Sequence, residues 1–210
     1  MTIKATSLLS VIAIWAAIVP AVVAEPDAWW SLIFAGLATM TVGVGFRRRL
    51  GLSRVIAIAG IWAGAALIVG AGEATWPSVF AFLATAAVVY SMMRRDAYLL
   101  GVGIAAVWLV AALIIVNQQD AAWIAVFAFL TAATTAGSRS RWSKGAAAMV
   151  WWGIAAAIIL AVDGLYWLTV LAWLLGSASL GFRDWNFPRR IEWDILERDE
   201  RPPGRDGDFL

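Results

Sequence analysis

Five acidic residues occupy turns that hold no lysine or arginine: Glu25, Asp27, Glu73, Asp120 and Asp163. Each lies at the edge of a long apolar stretch. Ionisable groups at such places are candidates for ion or proton handling, because charge near hydrocarbon is costly to keep. Gathered together, the five would form an acidic ring that concentrates cations. A plainer chemistry competes with this. Asp is a favoured helix N-cap, and a carboxylate suits the positive end of the helix dipole. Asp120 and Asp163 directly precede apolar stretches, and Pro26 and Pro77 stand at about the first helical position, where proline is tolerated. Capping is therefore the stronger expectation. No acid stands in the middle of a stretch, so a proton relay has no stepping stones.

Tryptophans form the second set. Trp15, Trp62, Trp108 and Trp151, with Trp152 beside it, fall near the middle of apolar stretches. Their flat rings could receive a pigment, a quinone or a lipid tail, and each N–H wants a partner. The competing expectation, and the stronger, is that they are packing knobs between helices. A chlorophyll-type ligand would find no histidine to hold its metal. Small residues form a third set. Gly60 and Gly64 make a G-x-x-x-G, and Gly101, Gly103 and Gly153 mark further close approaches. Such residues let helices pack tightly in lipid, so Gly60 and Gly64 are candidate partner contacts.

The chain has no Cys and no His. That removes disulfides, thiolate nucleophiles and the commonest general base and metal ligand. No phosphate loop, G-x-G-x-x-G, H-E-x-x-H or Ser/His/Asp set is present. The expectation is a protein that is not an enzyme and has no metal site.

The elements that must position these residues follow from composition. Of 210 residues 62% are hydrophobic and only 14% charged, against about a quarter charged in soluble domains. Apolar stretches at 7–24, 28–46, 55–72, 76–93, 98–117, 121–137, 145–162 and 164–182 read as eight transmembrane helices. The turns between them alternate, acidic then basic. All 16 Lys and Arg fall on one side: Lys4, Arg47, Arg48, Arg49, Arg54, Arg94, Arg95, Arg139, Arg141, Lys144 and those after residue 182. The positive-inside rule places that side, with both termini, in the cytoplasm, and typifies a bacterial inner membrane. The basic clusters would also attract anionic lipid headgroups. Lys4, an apolar run and Val22-Val23-Ala24 resemble a cleaved signal peptide. The segment fits the repeat described next, so it is read as a retained span.

The repeat is W-x-x-[IV]-[FL]-A-x-L. It begins at Trp30, Trp76, Trp123 and Trp167, and the first Arg follows each Trp by 16–18 residues. A mid-stretch Trp precedes each acidic turn. The chain thus reads as an all-α polytopic membrane protein of four tandem helical hairpins, parallel in orientation, with a period of about 46 residues. The transmembrane domain covers 1–182, with repeats at about 7–49, 55–95, 98–141 and 145–183. Residues 183–210 read as a cytoplasmic interfacial segment and polar tail, in which Trp185, Phe187 and Trp193 are candidate partner contacts at headgroup depth.

In organisation this plan is similar to that of bacterial short-repeat membrane proteins such as the SPW-repeat and acid-resistance groups. The S-P-W signature is absent, since Trp76-Pro77-Ser78 has another order. No functional residue is carried over. The function expected is a non-catalytic membrane scaffold or accessory subunit packed against a larger membrane complex, with Trp-rich faces that touch lipid, quinone or pigment. The alternative is a small cation channel or transporter. Its path would have to be lined by Thr39, Thr41, Thr85, Thr131, Thr134 and Thr135, the best polar residues the stretches offer.

Overall fold

The computed structural model describes residues 3–44, 51–91, 98–118, 120–137, 143–162 and 164–181. Among these, eight α-helices follow in order: α1 (Ile3–Ala24), α2 (Ser31–Val44), α3 (Leu52–Gly70), α4 (Pro77–Tyr90), α5 (Tyr98–Asn117), α6 (Ile124–Gly137), α7 (Ser143–Ala161) and α8 (Leu168–Gly181). No strand occurs among the described residues.

Successive helices pack in antiparallel pairs: α1 on α2, α3 on α4, α5 on α6 and α7 on α8. The pairs stand side by side in two layers. In one layer α1 packs on α3, α3 on α5 and α5 on α7. In the other, α2 packs on α4, α4 on α6 and α6 on α8. Neighbours within a layer run parallel. Among the described residues α1 makes no extensive packing on α7, nor α2 on α8.

Three helical stretches are long and apolar enough to cross a membrane: Ala5–Ala24, Leu52–Gly70 and Tyr98–Asn117. By length and composition the chain is a helical membrane protein. The even-numbered helices are shorter than their apolar stretches suggest, at 14 residues each. At 1.5 Å per residue that is about 21 Å. Their first residues are spent on turns. Pro26–Ala28 forms a 3₁₀ turn before α2, and a similar tight turn precedes each other even helix. At its far end α4 stops at Ser91, whose extended backbone (ψ 158°) leaves the helix.

The core lies between the layers and is built of small and branched residues, with Trp62, Trp108 and Trp152 the largest fully buried side chains. The closest approach joins α3 and α5. A Cβ on Gly60 would stand 2.2 Å from the Cβ of Ala105, and one on Gly64 would stand 2.8 Å from the Trp108 carbonyl oxygen. Across the same contact, a Cβ on Gly101 would lie 2.1 Å from the Ser53 carbonyl oxygen. Only glycine lets the two backbones meet here. Gly60 and Gly64, read from sequence as partner contacts, are therefore occupied inside the chain.

Candidate functional site

The mid-helix tryptophans are joints between the layers. The indole Nε1–H of Trp15 on α1 donates to Thr39 Oγ1 on α2 at 3.0 Å. Trp62 on α3 repeats this with Thr85 on α4, also at 3.0 Å and fully buried. Each threonine hydroxyl in turn donates to the carbonyl one turn back, Thr39 to Ala35 (2.9 Å) and Thr85 to Ala81 (2.8 Å). The hydroxyl thus accepts from one helix and donates within its own, and every polar hydrogen in the relay is used.

The third and fourth pairs depart from this pattern for a reason visible in the sequence. The motif is followed by Ala38-Thr39 in the first segment and by Ala84-Thr85 in the second, but by Thr131-Ala132 in the third. Moving the hydroxyl back one residue turns it by about 100° around the helix. Thr131 now faces α7, where it accepts from Trp152 Nε1 at 3.0 Å and donates to the Phe127 carbonyl at 2.8 Å. This bond crosses between neighbouring pairs. Trp108, fully buried on α5, is left with no partner for its N–H. The equivalent tryptophan in the fourth pair is therefore Trp152 and not Trp151, which is half-buried.

As ligand platforms these rings are poorly placed. Trp62 and Trp108 have no exposed surface, and Trp15 is held edge-on by Thr39. The threonines do not line a common path. Thr39, Thr41, Thr85, Thr131 and Thr134 all donate to carbonyls of their own helices, and Thr135 is buried on α6.

A ladder of aromatic rings runs along the even layer near the acidic turns. Within helices, Trp30 meets Phe34 edge-on at 5.5 Å, Trp76 meets Phe80 at 5.4 Å and Trp123 meets Phe127 at 5.6 Å. Between helices, Phe34 packs on Phe82 (6.4 Å), Phe80 on Phe129 (5.8 Å) and Phe127 on Trp173 (6.0 Å). These separations are those of attractive ring pairs. The motif now has a cause. Its Trp and [FL] positions pair along one helix. The [FL] ring then meets the variable position, two residues further on, of the next helix.

At the two ends of the described row the aromatic ladder stops, although the motif itself is kept. The first variable position is Gly36, and a Cβ there would meet nothing within 4 Å. The last [FL] position is Leu171, which is exposed. In a closed ring these two positions would face each other as leucine against glycine.

The acidic turns follow the row. Glu25 is half-buried, and its Oε2 lies 3.4 Å from where a Cβ on Gly72 would stand. Asp27, Glu73 and Asp120 are exposed, and Asp163 lies outside the described residues. The expected capping role is corrected for Asp120. The first amides of α6, on Ile124, Ala125 and Val126, donate to the carbonyls of Ala121, Ala122 and Trp123. The backbone turn therefore fills the place of a cap, and it does so before each even helix. Asp120 instead takes the left-handed position of the turn, at φ 62°, where the neighbouring turns use Gly72 (φ 73°) and Gly164 (φ 84°). Aspartate tolerates that conformation better than most residues. Next to it, Gln118 Oε1 accepts from Tyr166 Oη at 3.1 Å and ties the third turn to the fourth.

On the opposite side Arg54 is buried at the start of α3 and donates from Nη2 to the Ser91 carbonyl at 2.9 Å. The cation sits at the C-terminal end of α4, where the helix dipole favours positive charge. Arg47, Arg48, Arg49, Arg94, Arg95, Arg139 and Arg141, together with Trp185, Phe187 and Trp193, lie outside the described residues. Among the described residues no group of three or more acids stands close enough to hold a metal ion.

A scan against protein-family models matches none, and searches of curated proteins and of solved structures return no match.

Proposed function

We propose that this protein is a non-catalytic integral membrane scaffold, an accessory subunit that packs laterally against a larger membrane protein complex. In this reading all eight helices cross the bilayer as four tandem hairpins, with both termini in the cytoplasm of a bacterial cell. The observation that carries it is the use made of mid-helix polar groups. The indoles of Trp15, Trp62 and Trp152 and the hydroxyls of Thr39, Thr85 and Thr131 are consumed in holding helices together. What is left outside is apolar, with Leu8, Ile12, Met40, Leu113, Val150 and Ile154 among the exposed side chains. Such a surface meets lipid tails or other transmembrane helices. The segment 183–210, with Trp185, Phe187 and Trp193, supplies a second contact at the cytoplasmic face.

The same hydroxyls weigh against a cation channel, because a threonine bonded to its own helix offers no ligand to a passing ion. The test is extraction from native membrane in mild detergent, followed by native electrophoresis and mass spectrometry. Migration with a defined larger assembly is the expected result. Migration alone, with cation flux in liposomes that falls when Asp120 is changed to Asn, would replace the scaffold with a channel.

A further inference from the structure

The two layers differ in height, and both ends of the difference are marked by side chains. On α4 the exposed and half-exposed residues Val79, Leu83, Ala86 and Tyr90 form one stripe. Trp76 stands at its upper end, as the N-cap of the helix, and Tyr90 at its lower end. Fourteen residue steps separate them, about 21 Å along the helix. Trp and Tyr favour headgroup depth at the two faces of a bilayer. Just beyond Tyr90 the chain leaves the helix, and the Arg54 guanidinium holds the Ser91 carbonyl, which puts a charge at that level.

The opposite layer is taller. On α5 the exposed stripe begins at Tyr98 and Leu99, continues through Val102, Leu109, Leu113 and Val116, and ends at Asn117. That is 19 steps, or about 28 Å, close to the roughly 30 Å of a typical hydrocarbon core. The two faces therefore differ by about 7 Å in apolar height.

We infer that the α2–α4–α6–α8 face is a lipid-binding surface fitted to a thinned bilayer, and that it gathers phospholipids with short acyl chains. This rests on the reading that the even-numbered helices cross the membrane. A helix shorter than the hydrocarbon core thins the lipid beside it or recruits shorter chains. The opposite face, at ordinary height, makes no such selection. A single molecule thus holds a step in membrane thickness between its two sides.

The chain has no cysteine, so single labels are simple to place. Leu83→Cys on α4 and Leu109→Cys on α5 are a matched pair, both near mid-helix and 38% and 37% exposed. Each is labelled with an environment-sensitive fluorophore and reconstituted in vesicles of dioleoyl phosphatidylcholine. Brominated dioleoyl lipid serves as quencher, and dimyristoleoyl phosphatidylcholine as competitor. The short lipid is expected to displace the quencher at least about twofold better at position 83 than at position 109. Equal displacement at the two positions overturns the inference and leaves the membrane-crossing reading intact. Quenching at 109 with none at 83 overturns both. Met40→Cys, 69% exposed on α2, repeats the test should Leu83→Cys fail to fold.

Discussion

Replacing Thr85 with Val should destabilise the protein by about 1–2 kcal/mol, nearly all of it through an indole on another helix. Valine keeps the shape of threonine and loses only the hydroxyl. Two hydrogen bonds go with it, and they are unequal. The bond to the Ala81 carbonyl leaves no orphan, because that carbonyl still accepts the amide of residue 85 within the helix. The bond from Trp62 leaves a fully buried N–H with nothing to donate to. Hydrogen bonds between membrane helices average about 0.6 kcal/mol, with a maximum near 1.7, so the upper part of that range applies to a fully buried bond of this kind. The assay is equilibrium unfolding in mixed detergent micelles, titrated with dodecyl sulfate. A loss of about 1.4 kcal/mol raises the unfolding constant about tenfold. Thr41→Val is the control, since Thr41 bonds only to the Leu37 carbonyl, and it should be nearly neutral. Trp62→Phe alone removes the donor and leaves Thr85 bonded to Ala81. The double variant should then cost less than the two single changes summed, by about 0.5–1.5 kcal/mol. Additive costs, or a Thr85→Val variant as stable as the Thr41→Val control, would refute the relay as an energetic joint.

Other expectations follow from the same geometry. Ala132→Thr restores the hydroxyl to the place it holds in the first two pairs, and gives Trp108 a partner. It should raise stability by up to about 1 kcal/mol in the same titration. Gly101→Ala puts a methyl group into the Ser53 carbonyl and should destabilise by about 1–3 kcal/mol, whereas Gly36→Ala, facing open space, should not. Asp120→Gly relieves a left-handed backbone and should stabilise by about 0.5–1 kcal/mol, measured as a rise in unfolding midpoint. A decrease instead would show that the carboxylate matters more than the turn.

Much of this arrangement is legible in the residues. The W-x-x-[IV]-[FL]-A-x-L pattern locates the even helices because a ring at one position must meet a ring four residues on. The alternation of turns follows equally from where the charges fall. The partner of each ring on the next helix is not legible in the motif, because a pattern written for one helix carries no register between helices. Two features of the sequence do carry register between helices. Thr131-Ala132 reverses the Ala-Thr order of the earlier segments, and that single exchange redirects a hydrogen bond from one neighbour to another. Trp152 stands 15 residues before Trp167, as Trp15 stands before Trp30 and Trp108 before Trp123, which separates it from Trp151. The short even helices were not legible, because hydropathy counts apolar residues alike whether they wind into a helix or a tight turn. Asp120 shows the same limit. Its type suits both a cap and a left-handed turn, and only the backbone decides between them.

Gly36 and Leu171 carry a consequence for how long such a protein can grow. Among the described residues each helix pair packs mainly on the pair before it and the pair after, so stability should accumulate as units plus joints, as in solenoid proteins. A copy of residues 52–97 inserted between the second and third pairs would find a phenylalanine waiting on either side, and the row would lengthen. The same copy added after residue 181 would meet Leu171 where its own rings expect another. The interior positions are therefore matched for ring against ring, and Gly36 and Leu171 are the two positions in the described row that are not.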